Sequence, residues 1–189
     1  MGLFGDFAGP EFGLDDVKIA ALSLDGTYAS EVDVPSVQMY GVNLNTVNAQ
    51  LEGDDEITDT HAIAISTEVK LRFGSISFEA LQVLLGINYV ESLGVSPDRV
   101  RTLTIGNIKF PYFGINGRAR STQDTGDTQI FVPKVKIMQG FEIGMQYGQY
   151  VIPELTCTAV RSDLYDAIIQ IIKHEEMKDV TIPPYTGGS

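Results

Sequence analysis

Alternation of apolar and polar residues is the strongest periodic signal in the chain. In AIAISTEVKLRF, residues 62–73, one side of the pattern is mainly apolar and comprises Ile63, Ile65, Thr67, Val69, Leu71 and Phe73. Alternation with a period of two predicts a β-strand with one buried face. Twelve residues at about 3.3 Å each span roughly 40 Å, about twice the usual strand length. We therefore expect this strand either to bend or to project beyond its own core.

Three further runs predict strands. The longest, QIFVPKVKIMQGFEIGMQY at 129–147, alternates in the same way, and Pro133 predicts a sheet edge or a bulge within it. Two shorter β-rich runs are RVRTLTIGNIKF at 99–110 and PELTCTAV at 153–160. Turn-forming residues predict connections at 23–28, 95–99 and 113–127. The pattern favours a mainly β protein.

One helix is clearly signalled, at about residues 77–85. Ser77 is a suitable N-cap, Glu79 lies in the first turn, and Gly86 can end the helix. Its apolar stripe consists of Phe78, Leu81, Leu84 and Leu85. Residues 163–176 fit either a second, C-terminal helix or a turn followed by a strand, and periodicity alone does not separate the two. The predicted fold is a β-sandwich or barrel of antiparallel strands with one flanking α-helix.

The length of 189 residues suits one domain with a hydrophobic core. We expect a single domain over 1–189, with Gly/Pro-rich arms at about 1–14 and about 179–189 that lie outside the core. No apolar run reaches the roughly 18 residues of a membrane span, and the first residues do not have the pattern of a signal peptide. The single Cys157 excludes an internal disulfide and fits a reducing compartment.

Charge is segregated along the chain, whose net charge is −12. Residues 1–68 contain 13 acidic residues and one basic residue, Lys18, whereas residues 99–136 contain seven basic residues. If this segregation persists in three dimensions, the acidic surface of one copy would attract the basic surface of another and steer the two together. The alternative is that the acidic and basic blocks intermix in the fold.

The densest charge lies in LEGDDEITDTH, residues 51–61, which contains Asp54, Asp55, Glu56, Asp59 and His61. Such a cluster can be a calcium loop, an acid/base site, a solvated turn or a contact surface. The contiguous acids do not have the alternating order of a calcium-binding loop. Paired carboxylates could serve a glycosidase, but the chain has no tryptophan to form a sugar-stacking platform. We interpret the cluster as a solvated loop or contact surface.

Signatures of catalysis are missing from the sequence. It contains no nucleophile elbow, phosphate-binding loop, dinucleotide fingerprint or zinc-protease motif. Cys157 lies in an alternating run and is interpreted as a buried, inert thiol, and His174 as a surface residue. We predict no catalytic residue, no cofactor and no metal site.

Four segments together resemble the major tail tube proteins of long-tailed, siphovirus-like bacteriophages. They are VDVPSVQMYGVNLNTVNAQLEGDDE at 32–56, SFEALQVLLG at 77–86, NIKFPYFGINGRARST at 107–122 and VPKVKIMQGFEIGMQYGQYVIPELTCTAV at 132–160. The resemblance extends from about Val17 to His174. Each segment is a loose pattern without a catalytic signature. The resemblance to the family is specific because the four segments occur in this order.

The resemblance implies a non-enzymatic structural virion protein. Its subunits would form hexameric rings that stack into a hollow conduit for ejection of phage DNA. Its partners would be copies of itself and other phage tail proteins (tape measure, tail terminator and distal tail), with transient passage of double-stranded DNA without specific binding. The implied location is the virion tail, with assembly in the host cytoplasm and no membrane insertion. Tubes of contractile tails remain an alternative within this class.

For the assembly contact, we expect Asp54, Asp55, Glu56 and Asp59 at a hairpin tip, facing Arg118 and Arg120 in a Gly-rich loop of the next copy. A rival interpretation is that these acids line the lumen and repel DNA phosphates.

Two other classes of function stay open on the residues alone. They are a monomeric ligand- or carbohydrate-binding β-sandwich of the adhesin type, and a glycosidase that uses paired carboxylates.

Overall fold

A computed structural model describes residues 11–53, 56–92, 98–121 and 126–183. It contains ten strands and one helix, in the order β1 (Glu11–Leu22), β2 (Val32–Asp33), β3 (Val37–Gly53), β4 (Glu56–Phe73), α1 (Phe78–Leu85), β5 (Tyr89–Glu91), β6 (Arg101–Leu103), β7 (Tyr112–Ser121), β8 (Asp127–Glu142), β9 (Glu154–Ala159) and β10 (Gln170–His174). The prediction of a mainly β fold with one flanking helix is confirmed.

The strands form one large antiparallel sheet in the order β2-β1-β7-β8-β9-β4-β3, while β5 and β6 pair separately. β10 joins the large sheet beside the first half of β8, and β9 pairs with the second half. The sheet folds over on itself, because Tyr40 of β3 donates a hydrogen bond to the carbonyl of Ile130 in β8 at 3.1 Å. A Cβ at Gly117 of β7 would overlap the same ring. The result is a sandwich with the core between its two layers.

The core follows from the alternation in the sequence. Thr67, Val69, Leu71 and Phe73 of β4 are all at most 1% exposed, and they pack beside Leu155, Cys157 and Ala159 of β9. Burying each large apolar side chain stabilises the fold by about 1.5–3 kcal/mol. The predicted inward face of this strand is confirmed over residues 67–73. Ile63 and Ile65 lie in the same strand, but their side chains are outside the described part.

The helix closes one side of this core in the predicted way. The Ser77 hydroxyl accepts a hydrogen bond from the Ala80 backbone N–H at 3.1 Å, as an N-cap does. At the other end Gly86 has φ +67°, and its N–H donates to the carbonyl of Gln82. Glycine adopts this left-handed conformation without the penalty that a Cβ brings. Both predicted boundaries of the helix are confirmed.

Pro133 produces the bulge predicted from its position. Between the paired residues Phe113↔Val135 and Ile115↔Val132, β8 has one residue more than β7. The carbonyl of Pro133 accepts a hydrogen bond from the Tyr28 hydroxyl at 2.6 Å. An extra residue reverses which face the following side chains occupy. Because of this bulge, Phe131 and Lys136 both lie on the face opposite to Val132 and Val135.

A second, smaller core covers the outer face of β1 and β8. Its buried members are Ala20, Phe131 and Ile182, and Tyr28, Tyr165 and Ile172 pack against them. Ile182 comes from the segment 178–183, which we call the C-terminal strap. Val180 and Ile182 in the strap are 1% and 6% exposed. The expectation that residues 179–183 form an arm outside the core is therefore wrong.

Side chains of the body hold the backbone of the C-terminal strap. The amide of Asn116 donates to the carbonyl of Thr181 at 2.7 Å, and Arg118 donates to the carbonyl of Lys178 at 2.6 Å. Glu31 accepts from the N–H of Ile182 at 2.6 Å. The strap thus replaces the water that these polar side chains would need. At the other end of the chain, β1 begins at Glu11, so residues 11–14 are strand rather than arm.

Of the two alternatives for residues 163–176, the turn followed by a strand is the one observed, because a turn that places Asp166 at φ +50° leads into β10. Three other predictions about local structure need correction. Residues 113–121, part of the turn-rich connection predicted at 113–127, lie instead in β7. The strand predicted over 129–147 ends at Glu142, and a turn in which Gly148 has φ +77° lies further along the chain. Of the β-rich run 99–110, only Arg101–Leu103 is strand.

Candidate assembly surface

The β3/β4 hairpin extends beyond the rest of the sheet. Its pairing runs from Val37↔Phe73 to Gly53↔Glu56. The second neighbour of β4, β9, pairs with it only over Thr67–Arg72. Residues 56–66 thus pair only with β3 among the described residues, over about 35 Å at 3.3 Å per residue. Of the two expected outcomes, bending and projection, the pairing favours projection, because the strand continues past the end of its neighbour β9.

This projecting part has two open edges. Among the described residues, β3 pairs with β4 alone, and residues 56–66 of β4 pair with β3 alone. An open edge presents unpaired N–H and C=O groups that can pair with another chain. Natural edges are often blocked by Lys or Pro, but β3 contains neither, and Leu44 on it is 53% exposed. This hairpin has the features of a strand-pairing surface.

The predicted acidic site falls at the far end of the hairpin. Asp54 and Asp55 lie outside the described residues. In the backbone register, Glu56 pairs with Gly53 and Asp59 with Leu51. The hairpin itself is therefore placed as expected. The contact that its acids were predicted to make stays a prediction.

Arg118 and Arg120 lie in strand β7, so the prediction of a Gly-rich loop is wrong. Arg118 is 8% exposed and forms an ion pair with Asp15, whose carboxylate also lies 2.9 Å from Nε of Arg120. Partial burial would raise the pKa of Asp15, but the hydrogen bonds from Arg120 and Arg118 outweigh this and lower it. These arginines are paired within the subunit, and only Arg120, half exposed, can also meet another copy.

Two lysines of the same basic block are in a different situation. Lys134 and Lys136 each place Nζ 5.1 Å from the centroid of the Tyr112 ring. Neither has a carboxylate partner in the part of the chain that the structure describes. Net charge per segment cannot separate paired from unpaired bases, so sequence reasoning did not single them out.

The β8–β9 connection is a third exposed feature. Large apolar side chains point into solvent along and just before it: Met138, Ile143, Met145, Tyr147 and Tyr150. Contiguous exposed apolar residues typically mark a contact surface. Because β9 is antiparallel to β4, this connection and the hairpin tip lie at opposite ends of the sheet. The two ends of the subunit therefore differ in chemistry.

His174 and Cys157 are both part of the fold. His174 is half-buried, with Nδ1 2.6 Å from the fully buried carboxylate of Asp127, so its interpretation as a simple surface residue is wrong. Asp127 also accepts hydrogen bonds from Gln129 and from the N–H of Lys178. Cys157 is buried as predicted, and burial raises the pKa of its thiol to about 12.

In the described part of the chain, no three His, Cys, Asp or Glu side chains converge as metal ligands would. Nor does that part of the chain contain a helix of the length and hydrophobicity needed to span a bilayer.

Comparison with protein-family models and with curated proteins finds no match to this chain. Function is therefore inferred from the sequence pattern and the geometry.

Proposed function

We propose that this protein is a structural subunit that assembles with copies of itself into stacked rings, forming the tail tube of a long-tailed bacteriophage. The observation that carries the proposal is the β3/β4 hairpin, which extends past the sheet with both edges unpaired in the described chain. A two-stranded ribbon is marginally stable alone in water. Pairing with neighbouring copies would complete it.

Pairing between unlike edges leads to a ring. The β3 edge of one copy would meet the β4 edge, residues 56–66, of the next, so each copy contributes two different surfaces. Such heterologous contacts close into rings when the rotation per copy divides a full turn. In a closed ring no hairpin edge stays exposed. We propose six copies per ring on the resemblance to tail tube proteins.

Stacking would use the two chemically different ends of the subunit. One end carries the acidic hairpin and the other the apolar β8–β9 connection. A contact between unlike ends repeats without closing and produces an open tube. The net charge of −12 suits a conduit that does not retain DNA, because like charges disfavour contact with phosphates. The further proposed partners are the tape measure, tail terminator and distal tail proteins.

A monomeric ligand-binding module is the second candidate. It is supported by a cavity of about 310 Å³ beside the 23–26 turn, whose lining includes Leu22, Tyr112, Lys134 and Leu164. A pocket of this size suits a small ligand. This reading predicts a protein that stays monomeric at all concentrations.

Shortening the hairpin separates the two candidates. Asn45 and Ser66 are register partners, so an Asn-Gly turn can replace residues 46–65 and close the hairpin at that pair. We expect the full chain to form rings or tubes in negative-stain images. The shortened chain should be folded and monomeric by light scattering, because the β4–β9 pairing is retained. A full chain that is strictly monomeric, or a shortened chain that still polymerises, would contradict the proposal.

A further inference from the structure

The C-terminal strap is held by side chains of the body rather than by strand pairing. Among the described residues it belongs to no strand. The carbonyl of Lys178 accepts from Arg118 at 2.6 Å, and its N–H donates to Asp127 at 3.3 Å. Further along, the carbonyl of Thr181 accepts from Asn116 at 2.7 Å. These contacts recognise an extended backbone, as a peptide-binding site does.

The side chains of the strap alternate between the body and solvent. Val180 and Ile182 are 1% and 6% exposed, whereas Asp179 and Thr181 are exposed. Extended peptides are often recognised in this way, since main-chain hydrogen bonds supply affinity and pockets for alternate side chains supply specificity. No strap residue belongs to the main core between the two layers. The strap thus resembles a bound peptide with two apolar anchors.

The site beneath the strap, which we call the strap groove, has a largely polar floor. Four buried polar side chains form it on adjacent positions of β7 and β8: Asn116, Arg118, Asp127 and Gln129. Gln129 accepts from Asn116 at 2.8 Å and donates to Asp127 at 3.1 Å. Such groups can bond to water once exposed, whereas they are costly if buried without a partner. The strap can therefore leave this floor at a lower cost than an apolar one would impose.

The link between the strap and the sheet is short and exposed. Glu175, Glu176 and Met177 follow β10 and lie outside every described strand. The chain just before this link is fixed, because a Cβ at Gly126 would overlap the carbonyl oxygen of His174. Three extended residues span at most about 11 Å. A strap that swings out on this link can reach only a copy in direct contact with its own subunit.

We propose that straps are exchanged between copies, so that the strap of one copy binds in the strap groove of a neighbouring copy. Every copy carries one groove and one strap that fits it, so the bonds lost in one subunit are regained in the other. Exchange of an identical element is for this reason a low-cost route to association. Copies that already lie side by side favour it through a high effective concentration. The exchange goes beyond the proposed function, because it does not involve the β3/β4 hairpin.

Photo-cross-linking detects the exchange directly. Thr181 is exposed in the strap, so a benzophenone amino acid can replace it in the full-length chain without removing an anchor. Mixing ¹⁵N-labelled and unlabelled chains distinguishes by mass a link within one copy from a link between two. We expect links between copies that join position 181 to residues of β1, β7 or β8 at the border of the groove.

Links found only within single copies, or between copies but only outside the groove, would overturn the inference. Stacked rings with links only within copies would leave the proposed function standing without the exchange. Exchanged dimers that form no rings would support the exchange and contradict the proposed function.

A labelled peptide of residues 175–183 tests the groove as a separable binding site. Ile182→Ala in the full-length chain weakens the tethered strap, which competes with the peptide. By fluorescence anisotropy, we expect the peptide to bind this variant at least about tenfold more tightly than the wild-type protein. Thr181→Ala is the matched control, because it changes the exposed neighbour and should leave the affinity at the wild-type value. A peptide that itself carries Ile182→Ala should bind much more weakly.

Equal affinities of the wild-type peptide for the Ile182→Ala and wild-type proteins would contradict the separable groove. If Ile182→Ala is unfolded on its own by circular dichroism, the peptide should restore its fold. Failure of that rescue would count against the groove in the same way.

Discussion

The two parts of β4 have one alternating pattern but different surroundings. Residues 67–73 lie between β3 and β9, and their inward side chains are almost fully buried. Residues 56–66 continue the same strand with β3 as their only described partner. Alternation thus specifies a strand and its two faces, whereas the neighbouring strands decide whether it stabilises its own subunit or is available to pair with another one.

Two deletions should show the largest difference between body and hairpin. Removing residues 180–189 takes away Val180 and Ile182 and leaves the Asn116 amide without the Thr181 carbonyl. Burial of two such side chains is worth about 3–6 kcal/mol, so we expect severe destabilisation or no folded protein. Replacing residues 46–65 by Asn-Gly should leave the free energy of unfolding within about 1 kcal/mol. Urea unfolding of the two variants checks this, and a stable protein lacking 180–189 would contradict the assignment of the strap to the body.

A matched pair of substitutions sharpens the comparison within β4. Leu71→Ala removes a side chain that is 1% exposed and should cost about 2–5 kcal/mol of unfolding free energy. Ile63→Ala changes an apolar residue of the projecting part, which lies beyond the register shift at Asn45/Thr46. It should change subunit stability by less than about 1 kcal/mol and weaken assembly instead. Chemical unfolding at a concentration where the chain is monomeric, with sedimentation at higher concentration, separates the two effects. Equal losses of stability would show that the hairpin belongs to the core.

The helix cap offers a smaller effect confined to the body. Ser77→Ala removes the hydroxyl that accepts from the Ala80 N–H and should cost about 1 kcal/mol. Ser77→Asp keeps an acceptor at the cap and serves as the control. Thermal melts should rank the alanine variant below the other two, with assembly unchanged once each is folded. An equal shift for both variants would argue against the cap as the cause.

The smallest effect is a pH dependence from Asp15. The arginine hydrogen bonds lower its pKa in the folded state below the ordinary value of 3.8. The resulting stabilisation is present above that value and is lost as the pH falls through the folded pKa. The wild-type advantage over Asp15→Asn should therefore be constant near neutral pH and shrink below about pH 4. Unfolding free energies measured from pH 3 to pH 7 check the sign, and an advantage that grows on acidification would contradict it.

Local chemistry explains which predictions succeeded. The Ser77 cap, the Gly86 terminator and the Pro133 bulge depend on backbone geometry within a few residues, which sequence specifies well. The corrections concern cases that depend on distant partners. Residues 112–121 look like a turn because they include two glycines, yet Gly114 and Gly117 are strand positions where the rings of Tyr28 and Tyr40 need the space of a side chain. The aromatic residues that select glycine there are far away in the sequence.

Period-two alternation and helix caps are local properties, so the mainly β architecture, the one helix and the long strand follow from the sequence alone. How each charge and each chain end is used depends on tertiary contacts. Arg118 and Lys134 belong to one basic block, but Asp15, 103 residues from Arg118, neutralises the first and no described carboxylate meets the second. The C-terminal strap, rich in turn formers, is buried because Asn116, Arg118 and Glu31 bind its backbone. Such pairings depend on which surfaces the folded sheet brings together, and Coulombic and hydrogen-bond energies act over a few ångströms of space, whatever the separation along the chain.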